Sequence, residues 1–359
     1  MFDIISKLIE KIPLEASEAA LVSSSVNRRY LSGFKASEGL LFITPEASYF
    51  LVDFRYYEAA RNRIKGLNVI LSSDFKADLL KIARKHRVKT VLIENDGITF
   101  SEALKIEKWL KEGHIALNKQ NVLDKTLYSL RAEKTPLEIK NIKMAQKIAE
   151  NAFKQFLPQI KPGVTEKKLA FELEFLLRKE GAEAAAFDLI VASGKNSAVP
   201  HAEPSDKVIE MGDFVTVDMG AVHKGYHSDM TRTVAVRQVS EEQLQVYNTV
   251  LAAQKMAINA VRPGASCREI DSIARKFIAE SGYGNYFGHA LGHGVGLEIH
   301  EKPFLSKRTE DVLRSGMVIT IEPGVYLTNR FGVRIEDMLL VTDDGCENLT
   351  TVEKELIIL

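Results

Sequence analysis

Two cysteines, Cys267 and Cys346, are all that the 359 residues contain. A pair can build neither a disulfide framework nor a cysteine-rich zinc site, which fits a reducing compartment. Net charge is also missing: 48 Lys and Arg balance 48 Asp and Glu. A chain without surplus positive charge has no bulk electrostatic footprint for nucleic acid or anionic membrane. The basic stretch KIARKHRVK at 81–89 reads as a solvated helix face. No apolar run approaches the roughly 18–20 residues that span a bilayer. The opening MFDIISKLIEKIPLE is broken by Asp3, Lys7, Glu10 and Lys11, so it does not read as a signal peptide. Its Phe2, Ile5, Leu8, Ile9 and Ile12 recur at helical spacing, as in a short helix docked on its own domain. Hydrophobic residues at 45% and charged residues at 27% exclude a disordered chain. At about 150 residues per domain, the length predicts two domains. We expect a cytoplasmic enzyme or binding protein, with neither nucleic acid nor membrane as partner.

The first third alternates strand-like and helix-like segments. LLFIT (Leu40–Thr44) and SYFLVD (Ser48–Asp53) read as a hairpin across Pro45-Glu46-Ala47. Helical spacing follows over Tyr56–Lys65, Phe75–Arg87 and Ser101–Glu112, with the strand-like NVILSS and TVLIEN between. This predicts an α/β domain over 1–123. Tyr30, Phe34 and the aromatic run Phe54–Tyr57 are expected to pack. The polar, charged segment 124–136 is expected as a linker. Pro136 then sits in the first turn of a long helix over Leu137–Leu157, and the second domain runs over 137–359.

That second domain repeats itself. KPGVT at 161–165 and RPGAS at 262–266 each open a helix-like segment. VPHAEP at 199–204 echoes EIHEKP at 298–303, and GDFVTVDMG at 212–220 echoes GMVITIEPG at 316–324. The offsets are 101 from Pro162 to Pro263, 99 from His201 to His300 and 104 from Asp218 to Glu322. Ordered offsets of that length are too long for a solenoid. They predict two similar halves sharing a central cleft.

Carboxylates recur in both halves. In VTVDMGAVHKGYHSDMTRTVAV, Asp218 and Asp229 have their midpoint between His223 and Lys224. A hairpin folded there would set the two acids opposite each other. Glu322 and Glu336 have their midpoint at Asn329, in the polar turn Thr328-Asn329-Arg330. Four carboxylates aimed at one point must take up protons or bind metal. An oxygen-rich donor set favours hard or borderline divalent ions such as Mn(II). We expect the one nitrogen from His293, in FGHALGHGVGLEIHE, where glycine neighbours allow close backbone approach. Two ions about 3.5–4 Å apart could share a water and lower its pKa. His289 stands four residues before His293, a spacing that a helical turn would align.

Asp218, Asp229, His293, Glu322 and Glu336 match the ordered ligand pattern of the pita-bread (M24-type) metallopeptidases. That family includes methionine aminopeptidase, aminopeptidase P and prolidase. The stretches YLSGFKASEGLLFIT, LVDFRYYEAA, FDLIVASGKNSAVPHAEP, GHGVGLEIHE and EPGVYLTNRFGVRIED resemble its proline-specific branch. Ala36 and Phe54 depart from it, standing where relatives often have glycine. The resemblance implies an α/β N-terminal domain followed by an α+β pita-bread domain with an internal pseudo-two-fold repeat. It implies that Asp218 chelates one of two divalent ions, Mn(II) or else Co(II), Fe(II) or Zn(II). Asp229 and Glu336 would bridge both, and His293 and Glu322 would complete the second site. Glu322 would also serve as general base or proton shuttle. His201, His289 and His300 would contact substrate and stabilise the tetrahedral intermediate. Arg334 would lie near the metals and substrate, and Thr231 close to the shared water.

The activity implied is hydrolysis of the bond before proline in a di- or oligopeptide. An Xaa-Pro dipeptidase and an aminopeptidase P are alternatives that the catalytic motifs leave open, the small chain favouring the dipeptidase. A homodimer is implied as well. A creatinase-like hydrolase and a non-catalytic peptide-binding module both lack this metal set, and the five intact ligands argue against them.

Overall fold

The computed structural model describes residues 2–12 and 14–359, and of Phe2 and Asp3 the backbone alone. The chain divides into two compact units, Met1–Arg131 and Ala132–Leu359. Among the described residues no helix is long and apolar enough to cross a membrane. The N-terminal helix Phe2–Lys11 forms, and Ile5, Leu8 and Ile12 are buried as their spacing predicts. The expected contribution of the Phe2 side chain lies outside the described residues.

The first unit is built on β1 (Glu18–Val22), β2 (Leu40–Ile43), β3 (Ser48–Val52), β4 (Asn68–Leu71), β5 (Thr90–Ile93) and β6 (Ala116–Asn118). They form one mixed sheet in the order β4-β3-β2-β1-β5-β6. The expected hairpin is β2–β3, in register from Ile43↔Ser48. Thr44 Oγ1 closes its turn by donating to Ala47 O and accepting from Ala47 N. Helices start where side chains satisfy their free N–H groups: Asp53 before Phe54–Arg63, Asp74 before Phe75–Lys85, and a Thr99/Glu102 capping box before Phe100–Glu112. Asp53 therefore starts its helix two residues ahead of Tyr56, where spacing alone placed it. Tyr30 and Phe34 pack as expected, but Phe54 does not: as first residue of its helix it is 85% exposed.

Residues 124–136, expected as a linker, are mostly helical. The helix Val122–Ala132 buries Leu123, Leu127 and Leu130, and the next helix begins at Pro136. Leucines at that spacing form a helical stripe, which the charges between them disguise. Only Glu133–Thr135 is non-helical. It is held on the second unit by the Glu133↔Met317 bridge and by Lys134 N donating to Gly316 O.

The second unit has the two halves that its repeats predict. The first half contains β7 (Ala184–Ala185), β8 (Ile190–Ser193), β9 (Phe214–Met219), β10 (Ala221–His223), β11 (Tyr226–His227) and β12 (Met230–Ala235). The second contains β13 (Gly292–Gly294), β14 (Glu301–Leu305), β15 (Val318–Ile321), β16 (Gly324–Leu327), β17 (Phe331–Arg334), β18 (Asp337–Val341) and β19 (Cys346–Asn348). The order β8-β9-β12 in one sheet is matched by β13-β15-β18 in another. The turns ahead of the paired helices are wired alike. Gly163 N donates to Ile209 O and Ile209 N to Val164 O; Gly264 N donates to Leu313 O and Leu313 N to Ala265 O. Thr165 and Ser266 then cap Glu166–Lys179 and Cys267–Glu280.

Strand alternation separates core from site. Val215, Val217 and Met219 of β9 join Phe153, Phe156, Leu173 and Leu177 in one core. Ile319 and Ile321 of β15 join Val250, Ile270 and Ile278 in the other. The opposite face of β9 and β12 is polar: Thr216 meets Thr233 at 3.1 Å, and Asp218 stands opposite Thr231.

Candidate metal centre

Two hairpins deliver the four carboxylates, and only one has the expected register. From β15–β18 to β16–β17 the pairing is continuous about Asn329, which adopts a positive φ of 60° at the turn. That places Glu322 and Glu336 opposite each other between the two ladders. The other hairpin turns one residue later than its midpoint suggested. Lys224 and Gly225 occupy the turn with φ of 50° and 81°, the pair of positive values that a tight two-residue connection needs. His223 accordingly pairs with Tyr226 and Asp218 with Thr231. Asp218 and Asp229 are diagonal, not opposite, yet share a face because Asp229 precedes Thr231 by two.

His293 lies on β13 between two glycines. A Cβ on Gly292 would run into the Thr320 carbonyl, and one on Gly294 into that of Lys302, so only glycine lets these strands close around the imidazole. His289 is not aligned with it on a helical turn. Glycine-rich backbone keeps 288–291 irregular, and His289 stands on a loop ahead of β13.

Nine of the ten residues expected at the site, all but Thr231, line one cavity of about 550 Å³. Ligand atoms of Asp229, His293 and Glu336 lie within 4.8 Å of one another. His293 Nε2 is 3.6 Å from Asp229 Oδ2 and 3.5 Å from Glu322 Oε1. Its Nδ1 donates to Gly294 O at 3.1 Å, which leaves the Nε2 lone pair facing the carboxylates. Thr231 Oγ1 donates to Glu336 Oε2 at 2.7 Å. Arg334 organises the opposite wall: Nη2 donates to Asp218 Oδ2 at 2.7 Å, Nε to Thr231 Oγ1 at 3.1 Å, and Nη1 to Pro200 O and Tyr326 Oη. His201 and His300 are exposed on the cavity wall, the His300 ring edge-on to His293 with centroids 4.3 Å apart.

Tyr326 was not singled out by sequence reasoning. It is buried and its Oη stands 2.9 Å from both Arg334 Nη1 and His289 Nε2. His289 Nδ1 faces the Ala290 carbonyl at 2.7 Å and must donate to it. Nε2 of the neutral ring is then an acceptor, so Tyr326 O–H donates to it. The signal was its place between Glu322 and Asn329, on the inward side of a hairpin already expected. His227, the other histidine near Asp229, has Nδ1 against Gly296 O and does not line the cavity.

The donor set asks for cations. Burial, then Glu336, Asp218 and Glu322, push Asp229 well above the usual carboxylate range. Burial and Glu336 do the same to Glu322, and burial and Asp218 push Glu336 up to about 8. Burial takes His289 and His293 down to about 4, so both are neutral near pH 7. Among the described residues, Asp218 Oδ1 is buried with no hydrogen-bond partner. A buried oxygen so placed costs free energy unless something positive meets it. These residues fit a divalent pair.

Protein stripped of metal should therefore lose stability as pH rises. A carboxyl with a raised folded pKa contributes stability below its ordinary value of 4.5, and loses it as pH rises through about 8. The depressed histidines act oppositely, but only between about 4 and 6.5. From pH 6.5 to 8 the carboxyl effect stands alone among these groups. Melting of stripped protein across that range should show a falling Tm, with divalent metal raising Tm most at pH 8. A stripped-protein Tm that climbs there would refute the protonated cluster.

Two family models match the chain. Metallopeptidase family M24 matches residues 140–343, and the Creatinase/Prolidase N-terminal domain matches residues 5–132. An Xaa-Pro dipeptidase of Pyrococcus horikoshii is 41% identical, the match covering 98% of each chain. The structure of an Xaa-Pro dipeptidase from Bacillus anthracis superposes with a TM-score of 0.94 at 41% identity, over 99% of each chain. That of an X-Pro aminopeptidase from Thermotoga maritima gives 0.89 at 36% identity, over 98% of this chain and all of that one.

Proposed function

The chain belongs to metallopeptidase family M24, and from that premise we propose that it is an Xaa-Pro dipeptidase hydrolysing the bond before proline. The observation that carries the reading is the convergence of Asp229, His293 and Glu336 within 4.8 Å in a cavity of peptide-binding size. Asp218, Asp229, His293, Glu322 and Glu336 would hold two divalent ions, with Asp229 and Glu336 shared. The oxygen-rich set suits Mn(II), with Co(II), Fe(II) and Zn(II) as other occupants. When bound, such ions polarise a scissile carbonyl and lower the pKa of a water.

The protein's own groups do the rest. Arg334 holds Asp218 through Nη2 and keeps Tyr326 in place through Nη1. Tyr326 and the Ala290 carbonyl fix the tautomer and orientation of His289. Partial burial and His201 lower the pKa of His300, which favours its neutral, hydrogen-bonding form. Glu322, whose pKa burial and Glu336 raise above the usual carboxylate range, takes a proton from the attacking water and passes it to the proline nitrogen. That nitrogen is an imide without N–H, so recognition falls to shape. Phe187, Leu189, Ile299 and Phe304 give the cavity an apolar wall for the pyrrolidine ring. By resemblance, the working form is a homodimer in the cytoplasm.

The test is amino acid release from Ala-Pro and Ala-Pro-Ala by metal-stripped protein, before and after Mn(II). Metal-dependent cleavage of Ala-Pro alone is the expected result. Cleavage of the tripeptide as well, or instead, would make the protein an aminopeptidase. Cleavage of neither with metal bound would overturn the assignment.

A further inference from the structure

Glu166 is a buried carboxylate that does not line the cavity but bears on it. Glu166, the first residue of the helix Glu166–Lys179, is fully buried, and uncharged donors surround it. Its Oε1 accepts from Ser193 N at 2.6 Å, Ser193 Oγ at 2.7 Å and Asn196 Nδ2 at 3.2 Å. Its Oε2 accepts from Ser205 N at 3.0 Å, Ser205 Oγ at 2.6 Å and Asn196 Nδ2 at 3.1 Å. Ser193 ends β8, and Ser205 lies twelve residues on. One carboxylate thus ties together both ends of a loop. Between those ends the chain presents Pro200, His201 and Ala202 to the cavity.

We propose that Glu166 is a positioning residue for His201, setting where the imidazole stands without contributing to metal binding. The expected metal ligands lie on or beside β9, β12, β13, β15 and β18, and none falls within 193–205. The histidine is exposed, so its place depends on the backbone that carries it. The loop is also held by Arg334 Nη1 on Pro200 O at 3.2 Å and by Gly332 N donating to Ser197 Oγ at 2.9 Å, neither of which fixes its two ends. A carboxylate suits the clamp because both oxygens receive a backbone N–H and a hydroxyl. An amide of the same volume would turn NH₂ against the N–H of Ser193 or Ser205 and release one end of the loop.

The proposal rests on the reading that His201 touches substrate, and a double-mutant cycle separates the two. Ala-Pro kinetics and Mn(II) affinity by calorimetry would be measured for wild type, Glu166→Gln, His201→Ala and the double variant. Glu166→Gln should lower kcat/KM by about 10–100-fold, the effect of a displacement near 1 Å, with Mn(II) affinity within about threefold of wild type. In the His201→Ala background the same change should add less than about twofold, since coupled residues are not additive. Ser205→Ala removes one hydroxyl and keeps the backbone donor; it should act in the same direction, more weakly, and serves if Glu166→Gln fails to fold. An undiminished kcat/KM in the variants, an equal loss in both backgrounds, or a parallel loss of Mn(II) affinity would overturn the positioning role. Wild-type rates in His201→Ala would overturn the substrate role of that histidine, and the proposal with it. An inactive, metal-loaded wild type would overturn the functional assignment as well.

Discussion

Glu336→Gln should reduce kcat/KM on Ala-Pro by on the order of a thousandfold or more, while the protein still folds. The size follows from the several kcal/mol that a two-ion site contributes to stabilising transition-state charge, at 1.36 kcal/mol per tenfold in rate. Glutamine keeps the volume and an acceptor oxygen but loses the anionic charge that a shared ligand supplies. Folding should survive because Glu336, with its pKa pushed up to about 8, already carries a proton near neutral pH in metal-free protein. A neutral isostere there resembles the protonated native group. The variant should also lose part of the pH 6.5–8 slope in the stability of stripped protein, with Asp229 and Glu322 keeping the rest. Asp229→Asn should behave alike, since burial and Glu336 raise that carboxyl too. Kinetics beside metal stoichiometry decide the matter. Full activity in either variant with two ions bound would remove the dinuclear mechanism.

Arg232→Met should lower Tm by on the order of 10 °C, the second large effect. Arg232 is 1% exposed, and all five of its N–H groups are used. Nε donates to Glu353 O; Nη1 to Thr231 O and Glu336 O; Nη2 to Asp337 Oδ1 and Val352 O. Methionine fills much of the space but leaves those carbonyls short of donors and takes a cation from buried Asp337, which keeps Lys354. Breaking a buried ion pair from one side costs about 3–5 kcal/mol. In a unit of this size each kcal/mol moves Tm by about 2–4 °C. Arg232→Lys, which keeps the charge and three donors, should recover part of the loss. A Met variant melting within about 2 °C of wild type would show that the network contributes little.

The sequence carried the carboxylate cluster well because its residues obey local rules. Glu322 and Glu336 could be paired from their midpoint because the turn at Asn329 needs one residue able to adopt a positive φ, and asparagine does so readily. The same reasoning misplaced the turn between Asp218 and Asp229 by one residue. Lysine is an unusual occupant of a positive-φ position, so nothing marked Lys224-Gly225 as the pair. The repeat survived because the turns at Gly163 and Gly264 reproduce each other's hydrogen bonds. What escaped were relations between distant segments. Tyr326 matters through Arg334 and His289, and Glu166 through Ser193 and Ser205, contacts that hydrophobic period cannot reveal. The segment 124–136 escaped for a simpler reason, since its charges outnumber Leu127 and Leu130, which with Leu123 make it a helix.

The proposed ligands are divided between the repeats, Asp218 and Asp229 on one and His293, Glu322 and Glu336 on the other. Neither repeat alone offers a complete site. Ions held by these ligands would therefore act as a cross-link, and every kcal/mol of their binding would also oppose separation of the two repeats. Where a disulfide would fasten such a joint covalently, these ligands would give it a fastening that chelation can undo.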